Sequence, residues 1–350
     1  FEPVAAVPAG KLAAELDDLE VPVSLVPELR LSRSNLLSVL VGGMKLRSWA
    51  AKVRIAAEEL RADIVAANSL TAAMGCAMRV CHDRPLVWHA RDLRAPQRAL
   101  RYVVPRAGRI VAISACVADA LIDEYRAARS RTVMVHNGVD TLTFQPLRPA
   151  LEVREEFGIP DGAPVIGTVG QLVPWKRQDV FLEAAAHLLA HERDARFLLI
   201  GADMFGEHPD YTADLRALTE SLGLRDRVIF TGFREDIASV MRGMDVMLHP
   251  ADSEPLGRVV LEAMSLGVPC VAVDSCGPAE IIEDGESGIL VPEPEPRAMA
   301  ARVAELLSRQ GGPERMGQAA RRRINERFTA ERMARLTEDV YEEALSEARR

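Results

Sequence analysis

The sequence lacks any apolar run near the 18 or so residues that cross a bilayer, so no membrane-spanning helix is expected. Its opening stretch, FEPVAAVPAG, has no basic segment ahead of a long apolar one and does not read as a secretory leader. Cysteine is scarce: Cys76, Cys81, Cys116, Cys270 and Cys276 are odd in number and never in C-x-x-C spacing. They read as core thiols in a reducing, cytoplasmic compartment rather than as zinc ligands or a disulfide framework. No G-x-G-x-x-G follows a strand-like run and no G-x-x-x-x-G-K-[ST] occurs, which removes the phosphate loops of dinucleotide oxidoreductases and P-loop kinases. The absence of G-x-S-x-G removes the commonest α/β-hydrolase signal. Metal ligation is not expected. The nearest acidic cluster, Asp252-Ser-Glu254, is not the D-x-D of metal-dependent transferases, and His82, His187, His191 and His208 have no partners at metal spacing. Basic residues are in deficit overall: the net charge of −8 argues against a nucleic-acid binder.

What is present is a long alternation. Short apolar, often β-branched runs at 4–8, 23–27, 63–68, 86–89, 109–113 and 132–136 read as strands, and stretches such as 44–60 and 114–126 carry apolar residues at helical spacing. After a polar, proline-bearing stretch near 145–149 the pattern restarts, with strands expected at 165–169, 197–200, 228–230, 246–249 and 270–273. Apolar strands alternating with amphipathic helices imply parallel sheets covered on both faces. The expectation is therefore α/β, with two Rossmann-like doubly wound domains facing a cleft. Residues 1–147 form the first domain, 148–330 the second, and a helix over about 331–350 packs back on the first. Ligands in such sheets bind beyond the carboxyl ends of the strands.

The most informative stretch is Glu254-Pro-Leu-Gly-Arg-Val-Val-Leu-Glu262. A carboxylate and a proline turn precede a helix expected to open at Leu256, Gly257 and Arg258. The free N–H groups and positive dipole end of such a helix suit an anion such as a diphosphate. Glu262, roughly 7 Å further along the axis from Gly257, is placed to accept hydrogen bonds from a ribose diol. For two isolated glutamates an N-terminal helix acid and a satisfied helix residue would be the better reading. The proline, the glycine, the helix start and the buried strand ending at His249-Pro250 reverse that preference.

This segment resembles the E-x₇-E motif of the family-4 retaining glycosyltransferases. The likeness extends in order through His89-Ala-Arg-Asp92, Ile113-Ser-Ala-Cys-Val, His136-Asn-Gly-Val-Asp140, Gly167-Thr-Val-Gly170-Gln-Leu-Val-Pro-Trp-Lys176, Thr231-Gly-Phe-Arg234, Gly277-Pro-Ala-Glu280 and Asp284-Gly-Glu-Ser-Gly288. The resemblance implies the GT-B architecture and transfer of a sugar from a nucleoside-diphosphate sugar, with retention at the anomeric carbon and no metal or other cofactor. It implies that Glu254 binds sugar hydroxyls and Glu262 the ribose. Leu256, Gly257, Arg258 and Val259 would hold sugar and diphosphate, beside Gly170 and Gln171. Lys176 would stabilise the departing diphosphate, Phe233 and Arg234 would border the base, and His89 would face the reacting sugar. Fixed positive charge where negative charge accumulates is what breaking an anomeric C–O bond to a diphosphate requires.

Two departures stand out. The family often has arginine where this chain has Gln171, and Arg177 or Arg258 is a candidate substitute. The family's first strand and glycine-rich loop are not in their usual place: the one G-G pair, Gly42-Gly43, is followed by Met44-Lys45, so the chain reads as beginning at the second strand. The acceptor (a glycan, a lipid-linked or a small molecule) is not specified. Residues 84–109 hold seven arginines, Arg94 among them, against the single carboxylate Asp92. That stretch reads as a solvated face, with docking to an anionic acceptor or, peripherally, to a lipid surface as the minority reading. A sugar-nucleotide epimerase or phosphorylase of the same architecture, or a non-catalytic nucleotide-sugar-binding protein, is the alternative.

Overall fold

Valine- and isoleucine-rich runs of three to six residues become parallel strands when helices can cover both faces, and the computed structural model has this construction throughout. It describes residues 1–29, 36–79, 83–93, 95–204 and 206–349; Cys81, His82 and Arg94 lie outside the described residues. Two units divide the chain: Phe1–Val135 with Ala334–Arg350, and His136–Met333. The division falls after Val135 rather than after 147. Segment 136–140 is tied into the second unit, where Val139 N–H donates to Phe328 O (2.9 Å) and Val139 O accepts from Ala330 N–H (3.0 Å).

In the first unit, β1 (Ala5–Val7) and β2 (Val23–Leu25) form a two-stranded parallel sheet. Strands β3 (Val65–Ala67), β4 (Leu86–Ala90), β5 (Ala107–Ala112) and β6 (Thr132–Met134) form a second, in the order β3-β4-β5-β6. The helix Ala330–Ala348 brings Val340 and Ala344 to buried positions. Arg109 on β5 reaches Glu343 (3.4 Å) and Glu347 of that helix.

The second unit carries β7 (Val165–Val169), β8 (Arg196–Ile200), β9 (Val228–Gly232), β10 (Val246–His249), β11 (Cys270–Val273) and β12 (Ile289–Val291). All pair in parallel, in the order β12-β11-β10-β7-β8-β9. The order reverses between β7 and β10, which opens a crevice beyond their carboxyl ends. The helix Gln178–Leu188 packs Val180, Phe181, Ala184, Ala185 and Leu188 into the core, and Phe181 meets Phe197 of β8 edge-on at 6.2 Å. Burying one such ring stabilises the unit by about 3 kcal/mol. Strand β12 was not expected: a three-residue run between Gly288 and Pro292 is too short to show a period. Among the described residues no helix is long and apolar enough to cross a membrane.

Candidate active site

The loop from β10 to the next helix is built so that a carboxylate arrives at the crevice already fixed. Ser253 takes a left-handed backbone (φ 56°), and Glu254 O accepts from Gly277 N–H at 3.0 Å. A side chain at Gly277 would collide with the backbone of Leu256, so glycine is required where these segments cross. Gly257, at φ 87°, then turns the chain into the helix Arg258–Ser265, whose first turn has no side-chain cap. Its leading N–H groups point outward, as at any uncapped helix start. Leu256 is buried, Val259 half-buried and Arg258 exposed.

Glu254 is 9% exposed in its side chain, and Oε2 accepts from Lys176 Nζ in a short ion pair. Lys176 comes from a 3-10 turn, Pro174–Lys176, after β7, and its ammonium lies 4.2 Å from the Trp175 ring centroid. Gly170 follows β7 beside that lysine and donates its N–H to Ile200 O at 3.0 Å. Gln171 contributes its carbonyl to Gln178 Nε2 at 2.7 Å. Burial works to raise the Glu254 pKa, but His249 and Lys176 outweigh it and hold the carboxyl down at about 2. Glu262, 13% exposed, is pushed the other way: burial raises its pKa, only partly offset by Arg258, whose Nε lies 2.9 Å from Oε1.

The structure thus brings Gly170, Lys176, Glu254, Leu256 and Gly257 together and pairs Arg258 with Glu262. Arg177, with left-handed backbone at φ 54°, is held by Asp179 at 3.1 Å, so both candidate substitutes for the cation missing at Gln171 already have carboxylate partners. Arg234 belongs to a separate network. It donates to Asp236 and Glu156 at 2.8 Å each, and Arg148 bridges the same two carboxylates at 2.7 Å. With the guanidinium so engaged, its charge is locked well above the ordinary range, chiefly by Asp236, and neighbouring Phe233 stands 58% exposed.

His89, in the first unit, is the penultimate residue of β4 and has Nε2 at 2.9 Å from the Tyr341 hydroxyl. Burial, aided by Arg91, lowers its pKa to about 4, so the ring is neutral at physiological pH. No local sequence signal points to Tyr341 as its neighbour. His249, which ends the strand expected from the sequence to lead into this loop, lies 3.5 Å from Glu254 Oε2.

Parallel α/β units of this kind, one of them with a cation-paired carboxylate ahead of an uncapped helix, are the GT-B class of sugar transferase. The structural likeness is broad: HepE from Anabaena, solved with UDP and glucose, superposes with a TM-score of 0.81 at 27% identity, over 95% of this chain and 90% of that one. Sucrose-phosphate synthase from Thermosynechococcus elongatus shares the fold at a TM-score of 0.79 and 17% identity, over 99% of this chain and 100% of that one. Two family models match in tandem, "Glycosyltransferase Family 4" over residues 10–142 and "Glycosyl transferases group 1" over residues 150–323. The chain belongs to the family-4 glycosyltransferases. D-inositol 3-phosphate glycosyltransferase of Streptomyces bingchenggensis is 31% identical over 253 residues, 71% of this chain and 55% of that protein. Spore coat protein SA of Bacillus subtilis is 31% identical over 245 residues, 67% and 64% of the two chains. The chain therefore spans less than two thirds of the length of these curated relatives.

Proposed function

We propose that this protein transfers a sugar, with retention, from a nucleoside-diphosphate sugar held by its second unit to a glycan, lipid-linked or small-molecule acceptor. The observation that carries the reading is the Lys176–Glu254 pair at the switch point of the six-stranded sheet, directly ahead of the uncapped helix Arg258–Ser265. A diphosphate fits the helix start and the lysine ammonium. The ionised Glu254 accepts from sugar hydroxyls, and Glu262, half a helix further on, accepts from the ribose. Lys176 then carries the charge that develops on the leaving diphosphate, a preorganised stabilisation that needs no metal ion. Retention without a covalent intermediate is the favoured course, with departure and attack on the same face of the sugar. Gly170, Gln171, Leu256, Gly257 and Val259 supply the close backbone approach, and Phe233 with Arg234 the border of the base. The chain works in the cytoplasm, with the arginine-rich 84–109 stretch a solvated face.

HepE, at 27% identity, is solved with UDP-glucose, which makes a uridine donor the first probe. Calorimetric titration of UDP, GDP, ADP and dTDP into wild type and Glu262→Ala tests the site. The expected result is selective binding of one nucleotide, weakened about tenfold or more in the variant. Binding of none of the four by wild type would overturn the reading, and an inverted anomer in the product would overturn retention.

A further inference from the structure

His249 is the last residue of β10, with 2% of its surface exposed and its backbone in register with Ala272 of β11. Pro250 follows and restricts the chain further, so the imidazole is anchored from both sides. Its Nε2 is buried and has no hydrogen-bond partner among the described residues. Native folds rarely leave a buried ring nitrogen in that condition without a use for it. The atom it faces is Glu254 Oε2, at 3.5 Å, beyond hydrogen-bond length, and that oxygen already accepts from Lys176.

Two donors are thus arranged around one carboxylate oxygen, Lys176 Nζ within hydrogen-bond length and His249 Nε2 at 3.5 Å. A donor diphosphate carries more charge than a carboxylate and draws the lysine toward itself. Glu254 would then be a buried anion with nothing on Oε2, a state that burial drives toward protonation or reorientation. A protonated Glu254 would offer the sugar hydroxyls a donor in place of an acceptor. The His249 imidazole, with Nε2 at 3.5 Å, is placed to restore a partner to that oxygen through an Nε2–H.

We infer that His249 is a positioning residue for Glu254, taking over Oε2 through Nε2–H when Lys176 moves to the diphosphate and so keeping the carboxylate ionised and aimed at the sugar. The inference rests on the donor-site reading of Glu254 and Lys176. It goes beyond that reading in making two donors, the lysine ammonium and the imidazole, exchange on a single oxygen. Neither the E-x₇-E spacing nor the lysine position carries any sign of this.

Two measurements test it. The first needs no sugar: imidazole ¹⁵N spectra of the full chain, wild type against Lys176→Met, which leaves Oε2 to His249 alone. The expected result is an Nε2-protonated ring whose Nε2–H proton moves downfield in the variant. An unchanged signal, or a proton on Nδ1, overturns the exchange. The second compares binding of UDP-glucose, GDP-mannose, ADP-glucose and dTDP-glucose with that of their parent nucleotides. For the donor that wild type binds, His249→Leu is expected to lose about tenfold of the preference for sugar nucleotide over nucleotide, and His249→Gln, which keeps a donor near the Nε2 position, to regain most of it. Equal loss of nucleotide and sugar nucleotide in both variants would mean a structural role only, and full preference in His249→Leu would mean none; either overturns the inference. A wild type that binds none of the nucleotides brings down the donor reading itself, an outcome distinct from failure of the histidine variants in a protein that binds.

Discussion

Glu254→Gln removes a buried charge while leaving the shape of the side chain intact, so its effect on stability isolates the electrostatics of the carboxylate with His249 and Lys176. The two side chains are 9% and 14% exposed, which leaves little water to screen them. The carboxyl sits at about 2 against an ordinary value of 4.5. Because the folded pKa is the lower one, the stabilisation is complete above the unfolded value and is lost as pH falls toward the folded one. The depression corresponds to about 3 kcal/mol at neutral pH, of which about 2 kcal/mol is gone near pH 3. Wild type should therefore exceed Glu254→Gln in stability by about 3 kcal/mol near pH 7, and the gap should narrow to about 1 kcal/mol near pH 3. The assay is pulse-labelling hydrogen exchange across a urea series, read on peptides that cover β7 and β10, so that the second unit is followed by itself. A gap of constant size across that pH range would refute the reasoning, because it would mean the charge of Glu254 contributes nothing that its shape does not.

His89 works with the opposite chemistry but the same direction in pH. Its folded pKa of about 4 lies below the ordinary 6.5, so between those values the unfolded chain binds a proton that the folded one refuses. Stability is unaffected above about pH 6.5 and falls by about 3 kcal/mol as pH drops to about 4; an NMR titration of His89, with His89→Phe showing a flatter stability profile, checks this. Gly277→Ala puts a methyl group into the Leu256 backbone and should cost about 3 kcal/mol or more, together with nucleotide affinity, in a thermal melt and a calorimetric titration. A variant as stable as wild type would show that the crossing of these two loops is looser than described.

Much of the fold was legible in the sequence because its signal is local. Among the described residues, eleven of twelve strands coincide with short apolar runs between helical stretches, and the exception, Ile289–Val291, is hemmed in too closely to show a pattern. The unit boundary was displaced because the proline-bearing stretch near 145–149 is the visible punctuation, while the pairing of Val139 with Thr329 that assigns the segment is not local. The site divides in the same way. Gly257 and the helix start after Glu254 could be reasoned out from residue type and spacing. That Lys176 meets Glu254, 78 residues on, came only through resemblance to a family. The ring of charges around Arg234 was invisible, since Arg148 and Glu156 are ordinary surface residues until the fold brings them beside Asp236. His249 is visible in the sequence only as the end of a strand, and such a histidine announces nothing until the orphaned nitrogen beside Glu254 Oε2 is in view.

The first unit is assembled from two pieces of chain that leave the ribosome far apart in time. His89 waits for Tyr341, 252 residues downstream, and Arg109 for Glu343 and Glu347. The second unit, an uninterrupted stretch from His136 to Met333, has no such debt. Synthesis from the N-terminus ordinarily lets the leading domain finish first. Here the order is inverted: the leading unit stays unfinished until the trailing one has been synthesised in full, because Tyr341, Glu343 and Glu347 all follow it. The His89–Tyr341 contact becomes available only after every residue of the second unit, Lys176 and Glu254 included, has been made.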